Sequence, residues 1–430
     1  MVSVSSSADL KLLAPFWNEP VERTVLPNGL TLIIKPDRSA ALASVQVWVK
    51  TGSQHEGAHL GAGLSHYLEH MFFKGTRKRK TYHVLNHLEV VGGELNAFTT
   101  KEITTLYATV QRCHFKRAVD ILCDVAFRSS FPENELKKER LVIADEIQMY
   151  KDTPEENIYD EFQELLFTQH PLAHNILGDT ESLNKISRDD LVAFTQQNYH
   201  PDNMVFVVVG SLSSERVLHT LNTYSQEYFP KKEPVIHTPQ AWDYSAFRNS
   251  KESDFGQAYA IMGLPAYSES HPKRFALMLL NNLLGGPGMN SRLNLSIREK
   301  YGYAYNIESG YQSYSDAGMF HCYLSCEEKY MQKSLFLIEK EIKKLKEQKL
   351  GKVQLSQAKN QLSGQLMMAN ENRNGLLIHI GKGILKYGKA KQIEETIADI
   401  NRLSAEDLLD AANESFDFDQ FSYLKYLPSK

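Results

Sequence analysis

The chain repeats itself. VQVWVKTG (45–52) is answered about 212 residues later by QAYAIMGL (257–264), and GLSHYLEHMFF (63–73) is answered by FALMLLNNLLGG (275–286). FKRAVDILCDVAF (115–127) finds its echo in YMQKSLFLIEKEI (330–342), and ENELKKERLVIADEI (133–147) in KVQLSQAKNQLSGQL (352–366). Elements that recur in one order over two halves of a 430-residue chain predict two similarly folded bodies. Each half mixes strand and helix periods. RTVLPNGLTLIIK splits at Pro27-Asn28-Gly29 into a hairpin, and ASVQVWVKTGS alternates as a strand with one buried face. GGELNAFTTKEITTLYATV reads as two strands entered through Gly92-Gly93, and MVFVVVG (204–210) as a buried strand closing the half.

The predicted fold class is α+β: two domains, each a mainly antiparallel sheet with helices packed on one face. The domains are expected at 1–227 and 243–430, joined by YFPKKEPVIHTPQAW (228–242), whose three prolines and lack of periodicity mark a linker.

Composition excludes several classes. Hydrophobic residues at 42% and charged residues at 23% are those of a globular protein, and no apolar run approaches membrane-spanning length. A net charge of −4 offers no general attraction to nucleic acid or anionic lipid. The basic stretch Lys74–Lys80 reads as a solvated loop, with an acidic ligand as the alternative. The first twenty residues lack a charged segment followed by an apolar one, so no export signal is read and a prokaryotic cytoplasm is expected. Cys113, Cys123, Cys322 and Cys326 show no metal or disulfide spacing and read as buried free thiols.

The helix GLSHYLEHMFF carries the chemistry. Leu64, Leu68, Met71 and Phe72 recur at helical spacing, which places His66 and His70 roughly 40° apart on one face and Glu69 roughly 60° to the other side of His66. Two imidazoles and a carboxylate among apolar neighbours are costly unless paired or bound to a metal. Zinc suits them, with three protein ligands and a fourth position for water. The echoing helix, FALMLLNNLLGG, has neither His nor Glu, so packing alone does not require polar groups there.

Two histidines from one turn need a third ligand from elsewhere. In ELKKERLVIADEIQMY, Glu139 and Glu146 are seven apart and share a helical face, while Asp145 turns about 100° away. Either glutamate could ligate, with the other supporting a histidine from behind. The second repeat carries Gln365 near the place of Glu146. Glu69, flanked by ligands, is left as the general base that takes a proton from zinc-bound water and passes it to the leaving amine.

With these residues in view, the chain resembles the pitrilysin-type (inverzincin) zinc peptidases of family M16, and in particular their two-domain members. GLSHYLEHMFFKGT resembles the family's metal helix, GGELNAFTTKEITTLY its substrate-binding strand and ERLVIADEI its third-ligand helix. SIREKYGYAYNI resembles its Arg and Tyr pair, and the likeness extends over nearly the whole chain. The resemblance implies that His66, His70 and Glu146 ligate zinc, that Glu139 supports them, and that Glu69, Arg298 and Tyr305 are catalytic. It implies that substrate backbone adds as a strand beside Asn96, Ala97, Phe98 and Thr99, inside a chamber admitting short or unfolded peptides. Long members join four such domains in one chain and two-domain members pair two chains. The expected partner is therefore a second copy, a homodimer, with a heterodimer of homologues or a non-catalytic scaffold of the same fold as alternatives. The particular peptide substrate is not legible in the residues.

Overall fold

A computed structural model describes residues 21–225, 242–371, 373–389 and 392–429. The expected linker, apart from Trp242, lies outside these described residues, as does the N-terminal stretch searched for targeting signals. The strands are β1 (Glu22–Val25), β2 (Thr31–Pro36), β3 (Leu42–Val49), β4 (Glu94–Thr99), β5 (Thr104–Gln111), β6 (Met204–Gly210), β7 (Arg248–Ser253), β8 (Ala258–Pro265), β9 (Asn306–Ser313), β10 (Gly318–Cys326) and β11 (Ser422–Pro428). The helices are α1 (Leu64–Phe72), α2 (Thr81–Glu89), α3 (Phe115–Arg128), α4 (Glu133–Lys151), α5 (Pro154–Leu166), α6 (Thr180–Lys185), α7 (Arg188–Asn198), α8 (Ser214–Tyr224), α9 (Arg274–Gly285), α10 (Glu328–Glu347), α11 (Lys352–Glu371), α12 (Arg373–Tyr387), α13 (Ile393–Arg402) and α14 (Ala405–Ser415).

Two sheets carry the repeat. The first runs β1-β2-β6-β3-β5-β4 and the second β7-β11-β8-β10-β9. Without the β1 hairpin arm, the two orders coincide strand for strand. Even the exceptional pairing recurs: β2 with β6 and β7 with β11 are parallel, and the other neighbours are antiparallel. The fold is α+β with two like-built bodies, as the recurrence of motifs predicts.

These bodies are not the contiguous halves 1–227 and 243–430. The first is drawn from Met1–Ile147, His174–Ile236 and Ala369–Glu394, the second from Gln148–Ala173, His237–Met368 and Glu395–Lys430. α5 therefore belongs to the second body and α12 to the first. The break has a local cause, since Asp152-Thr153-Pro154 ends α4 and Pro154 opens α5 at a position where its missing N–H costs nothing.

The exchange covers a second face on each sheet. In the first body α3 packs against β3 and β5 on one face, with Phe127 stacked on Phe206. On the opposite face Leu376, Leu377, Ile380 and Ile384 of α12 pack on Ile33, Trp48, Val205, Val207 and Val209. Gly381 allows that approach, because a Cβ there would stand 2.2 Å from the Trp48 ring. In the second body α9, α10 and α14 supply one face, while Ile158, Phe162 and Leu166 of α5 pack on Tyr259, Ile261, Met319 and Tyr323 on the other. Helices thus lie on one face of each sheet, as expected, with one additional helix on the other. This explains β6, buried along its whole length, and it corrects the single buried face expected of β3, where Ser44, Gln46 and Trp48 are buried too.

Among the described residues no helix is long and apolar enough to cross a membrane. Cys123, Cys322 and Cys326 are buried free thiols, whereas Cys113 is exposed.

Candidate metal centre

α1 is nine residues long and buries Leu64, Tyr67, Leu68, Met71 and Phe72. His66, buried as well, lies with the half-buried Glu69 and His70 along one rim of the helix. α4 lies beside it, and the Tyr67 hydroxyl donates to Leu136 O of α4 at 2.6 Å, fixing the axial register of the two helices. On α4, Leu136, Glu139, Ile143 and Ile147 are buried and Asp145 is exposed. The seven-residue spacing of Glu139 and Glu146 thus lands both on the face toward α1.

His66 Nε2 stands 3.8 Å from Glu146 Oε1, and His70 Nε2 stands 3.5 Å from Glu146 Oε2. The two imidazole centroids are 4.7 Å apart, and one ligand atom from each of His66, His70 and Glu146 lies within 4.8 Å of the other two. These separations are long for hydrogen bonds and close to the roughly 3.3–3.5 Å between donors around a tetrahedral zinc. Two neutral imidazoles and a carboxylate are a donor set zinc accepts. Burial, helped by the nearby His70, pushes the His66 pKa down to about 3, so its imidazole is held neutral as ligation requires. The residues present therefore fit a zinc ion.

Behind the ligands, His70 Nδ1 donates to Glu139 Oε2 at 3.1 Å, and Lys74 Nζ contacts Glu139 Oε1 at 2.6 Å. Glu139 is 6% exposed. Burial alone would raise its pKa, but the hydrogen bonds from His70 and Lys74 outweigh it and hold the carboxyl below the usual range. A proton fixed on Nδ1 leaves Nε2 with its lone pair toward Glu146. The geometry sets Glu146 beside both Nε2 atoms and Glu139 behind His70.

Lys74 belongs to the basic stretch read as a solvated loop. That reading needs correction at two residues, since Lys74 pairs with Glu139 and Arg79 is inserted between Asp120 and the fully buried Asp124. Thr76 Oγ1 also donates to Asp124 at 2.7 Å, which pins the turn.

Glu69 is not one of the residues whose donor atoms converge. It lies beside Thr99, at the end of β4, whose polar groups favour its charged form. Burial raises its pKa, Thr99 and His70 lower it, and Glu146 raises it, with a net upward shift that suits a base. β4 is the edge of its sheet. Of the four residues expected along the substrate strand, Asn96 is exposed, and its Oδ1 accepts from the Ala97 N–H at 2.8 Å. Phe98 turns to the far face, edge-on to Trp48 at 6.0 Å.

Arg298 and Tyr305 lie in the second body. Arg298 is exposed on a short π-helix, Asn294–Glu299, and Tyr305 is 54% exposed just before β9, its N–H donating to Ser325 O at 2.8 Å. In the second body α9 takes the place of α1 and buries Ala276, Leu277, Leu279, Leu280 and Leu284, an apolar version of the same helix.

Sequence reasoning missed Lys74, the placement of Thr99 beside Glu69, and the buried Glu56 beside the start of α1. Lys74 could have been found, since it follows His70 by four residues.

The family described as Insulinase (Peptidase family M16) matches residues 31–180, and the Peptidase M16 inactive domain matches 185–362. A Bacillus subtilis protein described as an uncharacterized zinc protease is 32% identical over 92% of this chain and 96% of its own length. One from Streptomyces coelicolor, described likewise, is 31% identical over 90% of this chain and 85% of its own. Two solved structures share the fold. The peptidase M16 inactive domain from Pseudomonas fluorescens has a TM-score of 0.87 at 21% identity, covering 96% of this chain and 98% of its own. A protease from Helicobacter pylori has a TM-score of 0.86 at 22% identity, covering 95% and 99%. The residues matched by 31–180 include all three donors, Glu69 and Glu139, and those matched by 185–362 include the apolar counterpart of α1; the chain belongs to peptidase family M16.

Proposed function

We propose that this protein is a zinc-dependent endopeptidase that cleaves short or unfolded peptides. The observation carrying the reading is the convergence of His66, His70 and Glu146 within 4.8 Å, with Glu69 beside them. His66 Nε2, His70 Nε2 and Glu146 would hold the ion. When bound, zinc would lower the pKa of water and polarise the scissile carbonyl. Glu69 takes the proton of the attacking water on its carboxylate and delivers it to the leaving amine, which its raised pKa favours. Glu139 keeps the His70 Nδ1 proton in place, so that His70 presents one face throughout.

The substrate backbone adds along the free edge of β4, where the small Ala97 permits close approach. Arg298 and Tyr305 stabilise the oxyanion, contributed by a second copy of the chain in a homodimeric chamber. A bacterial cytoplasm accords with the four free cysteines and with the bacterial relatives.

Zinc stoichiometry, followed by digestion of an unstructured peptide library with wild type and Glu69→Gln, tests the reading. One zinc per chain, cleavage by wild type and none by Glu69→Gln are expected. Cleavage retained in Glu69→Gln removes the base assignment, and neither zinc nor cleavage in the wild type supports a scaffold of the same fold. Mixing Glu69→Gln with Arg298→Ala chains tests the shared site. Recovery of activity supports the homodimer, and no recovery after verified subunit exchange counts against it.

A further inference from the structure

Glu56 is 3% exposed, and among the described residues no cation pairs with it. A carboxylate is not left in such a place without compensation, because desolvation costs several kcal/mol. Oε1 accepts the Ser65 N–H at 2.8 Å, the Ser65 hydroxyl and the N–H groups of Leu64 and Gly63 also favour its charge, and Oε2 is buried without a hydrogen-bond partner. Burial still dominates and pushes the Glu56 pKa up to about 7.

Those three N–H groups are the start of α1. A helix leaves its first N–H groups without intrahelical partners, and the residue before the helix ordinarily supplies an acceptor from its own side chain. Here that residue is Gly63, which has none and can take none. Its φ is +76°, and an added Cβ would stand 2.2 Å from Leu177 O. The acceptor must arrive from elsewhere in the chain, and Glu56 is where it arrives. Nine residues form a short helix, so an uncapped first turn would fray. His66 immediately follows Ser65 in that turn.

The segment leading to Glu56 is fixed at its other end. Ser53 N–H donates to Thr100 O at 3.1 Å and Gln54 N–H to Lys101 O at 3.0 Å. Thr100 follows Thr99, the end of β4 that lies beside Glu69. One short stretch, Ser53–Glu56, thus ties the end of β4 beside Glu69 to the helix start that presents His66.

We propose that Glu56 is a positioning residue for the metal centre: it is the remote cap of α1 that Gly63 cannot supply, and through Ser65 it sets the first turn and the place of His66. The inference rests on the zinc reading above.

Zinc affinity of the full chain, stripped and titrated with zinc against a chromogenic chelator, tests it. The comparison is among wild type, Glu56→Ala, Glu56→Gln and Ser187→Ala. Ser187 caps α7, in the same body, with its own side chain, so its loss is the same kind of damage to another helix. Glu56→Ala should raise the zinc Kd about tenfold, equivalent to about 1.4 kcal/mol and within the range of a lost cap. Glu56→Gln keeps one acceptor oxygen and should raise it about threefold, and Ser187→Ala should leave it unchanged. Glu56→Ala within twofold of wild type, or Ser187→Ala weakening zinc equally, overturns the proposal. Should Glu56→Ala fail to fold, Glu56→Gln carries the test, and wild-type affinity in that variant overturns it. A wild type that binds no zinc removes the metal reading and this proposal together; wild-type binding with unaltered variants removes the proposal alone.

Discussion

Replacing Glu139 by Gln changes one oxygen for an NH2 group and so isolates the part played by the acid behind His70. In the native site both oxygens accept, one from His70 Nδ1 at 3.1 Å and one from Lys74 at 2.6 Å. Gln has a single acceptor. If it serves Lys74, its NH2 meets the His70 N–H donor to donor, and relief by tautomer change would place the proton on Nε2, where the metal must bind. If it serves His70, the NH2 faces the Lys74 ammonium. Loss of such a supporting partner typically weakens metal binding 10–100-fold, or about 1.4–2.7 kcal/mol. Adding Lys74→Met removes the competing donor and should restore part of the zinc affinity in the double variant, a coupling of about 0.5–3 kcal/mol. Competitive zinc titration of the wild type, the two single variants and the double variant measures the cycle. A Glu139→Gln Kd within twofold of wild type, or a double variant weaker than Glu139→Gln alone, refutes the relay.

Glu69→Gln should retain zinc while losing about 10²–10⁴-fold in kcat on a quenched-fluorescence peptide, and a loss below tenfold removes the base assignment. Gly63→Ala forces a Cβ against Leu177 O at positive φ and should cost at least about 1–3 kcal/mol, read as a lower urea midpoint; wild-type stability would refute the close contact. His321 is buried and its pKa is lowered by that burial to about 4, so the unfolded chain, near 6.5, binds the proton more readily. Its contribution is complete above pH 6.5 and is lost as pH falls toward 4. Between pH 7 and 5, wild type should lose about 2 kcal/mol more than His321→Gln by urea unfolding, and equal losses would refute it.

What could be read in advance was whatever a single helix determines. The angles between His66, Glu69 and His70, and the shared face of Glu139 and Glu146, follow from 3.6 residues per turn and needed no tertiary information. That the two sheets share one order followed from recurrence. What escaped depended on neighbours distant in sequence. Nothing local sets Glu69 beside Thr99, because that proximity exists only once β4 takes the sheet edge next to α1. Lys74 and Arg79 look solvated by composition, yet the turn closed by Thr76 N–H on Arg79 O at 2.8 Å carries Arg79 into buried acids. Ser44, Gln46 and Trp48 read as the wet side of β3; instead Trp48 Nε1–H donates to Gln46 at 2.8 Å under α12. GLLIHIGKGILKY has helical spacing, but spacing names no partner sheet.

The traded helices α5 and α12 make the two halves of the gene unequal to the two halves of the molecule. The four α12 side chains on the first sheet are worth roughly 6–12 kcal/mol of transfer free energy at most, comparable to the whole stability of an ordinary domain. A truncated product ending before residue 369 would expose Trp48 and three valines to water, and one beginning after residue 173 would strip Tyr259 and Tyr323 in the same way. Neither repeat is a portable module. Any shortening that discards one partner of the trade should yield an aggregating fragment rather than a smaller folded protein.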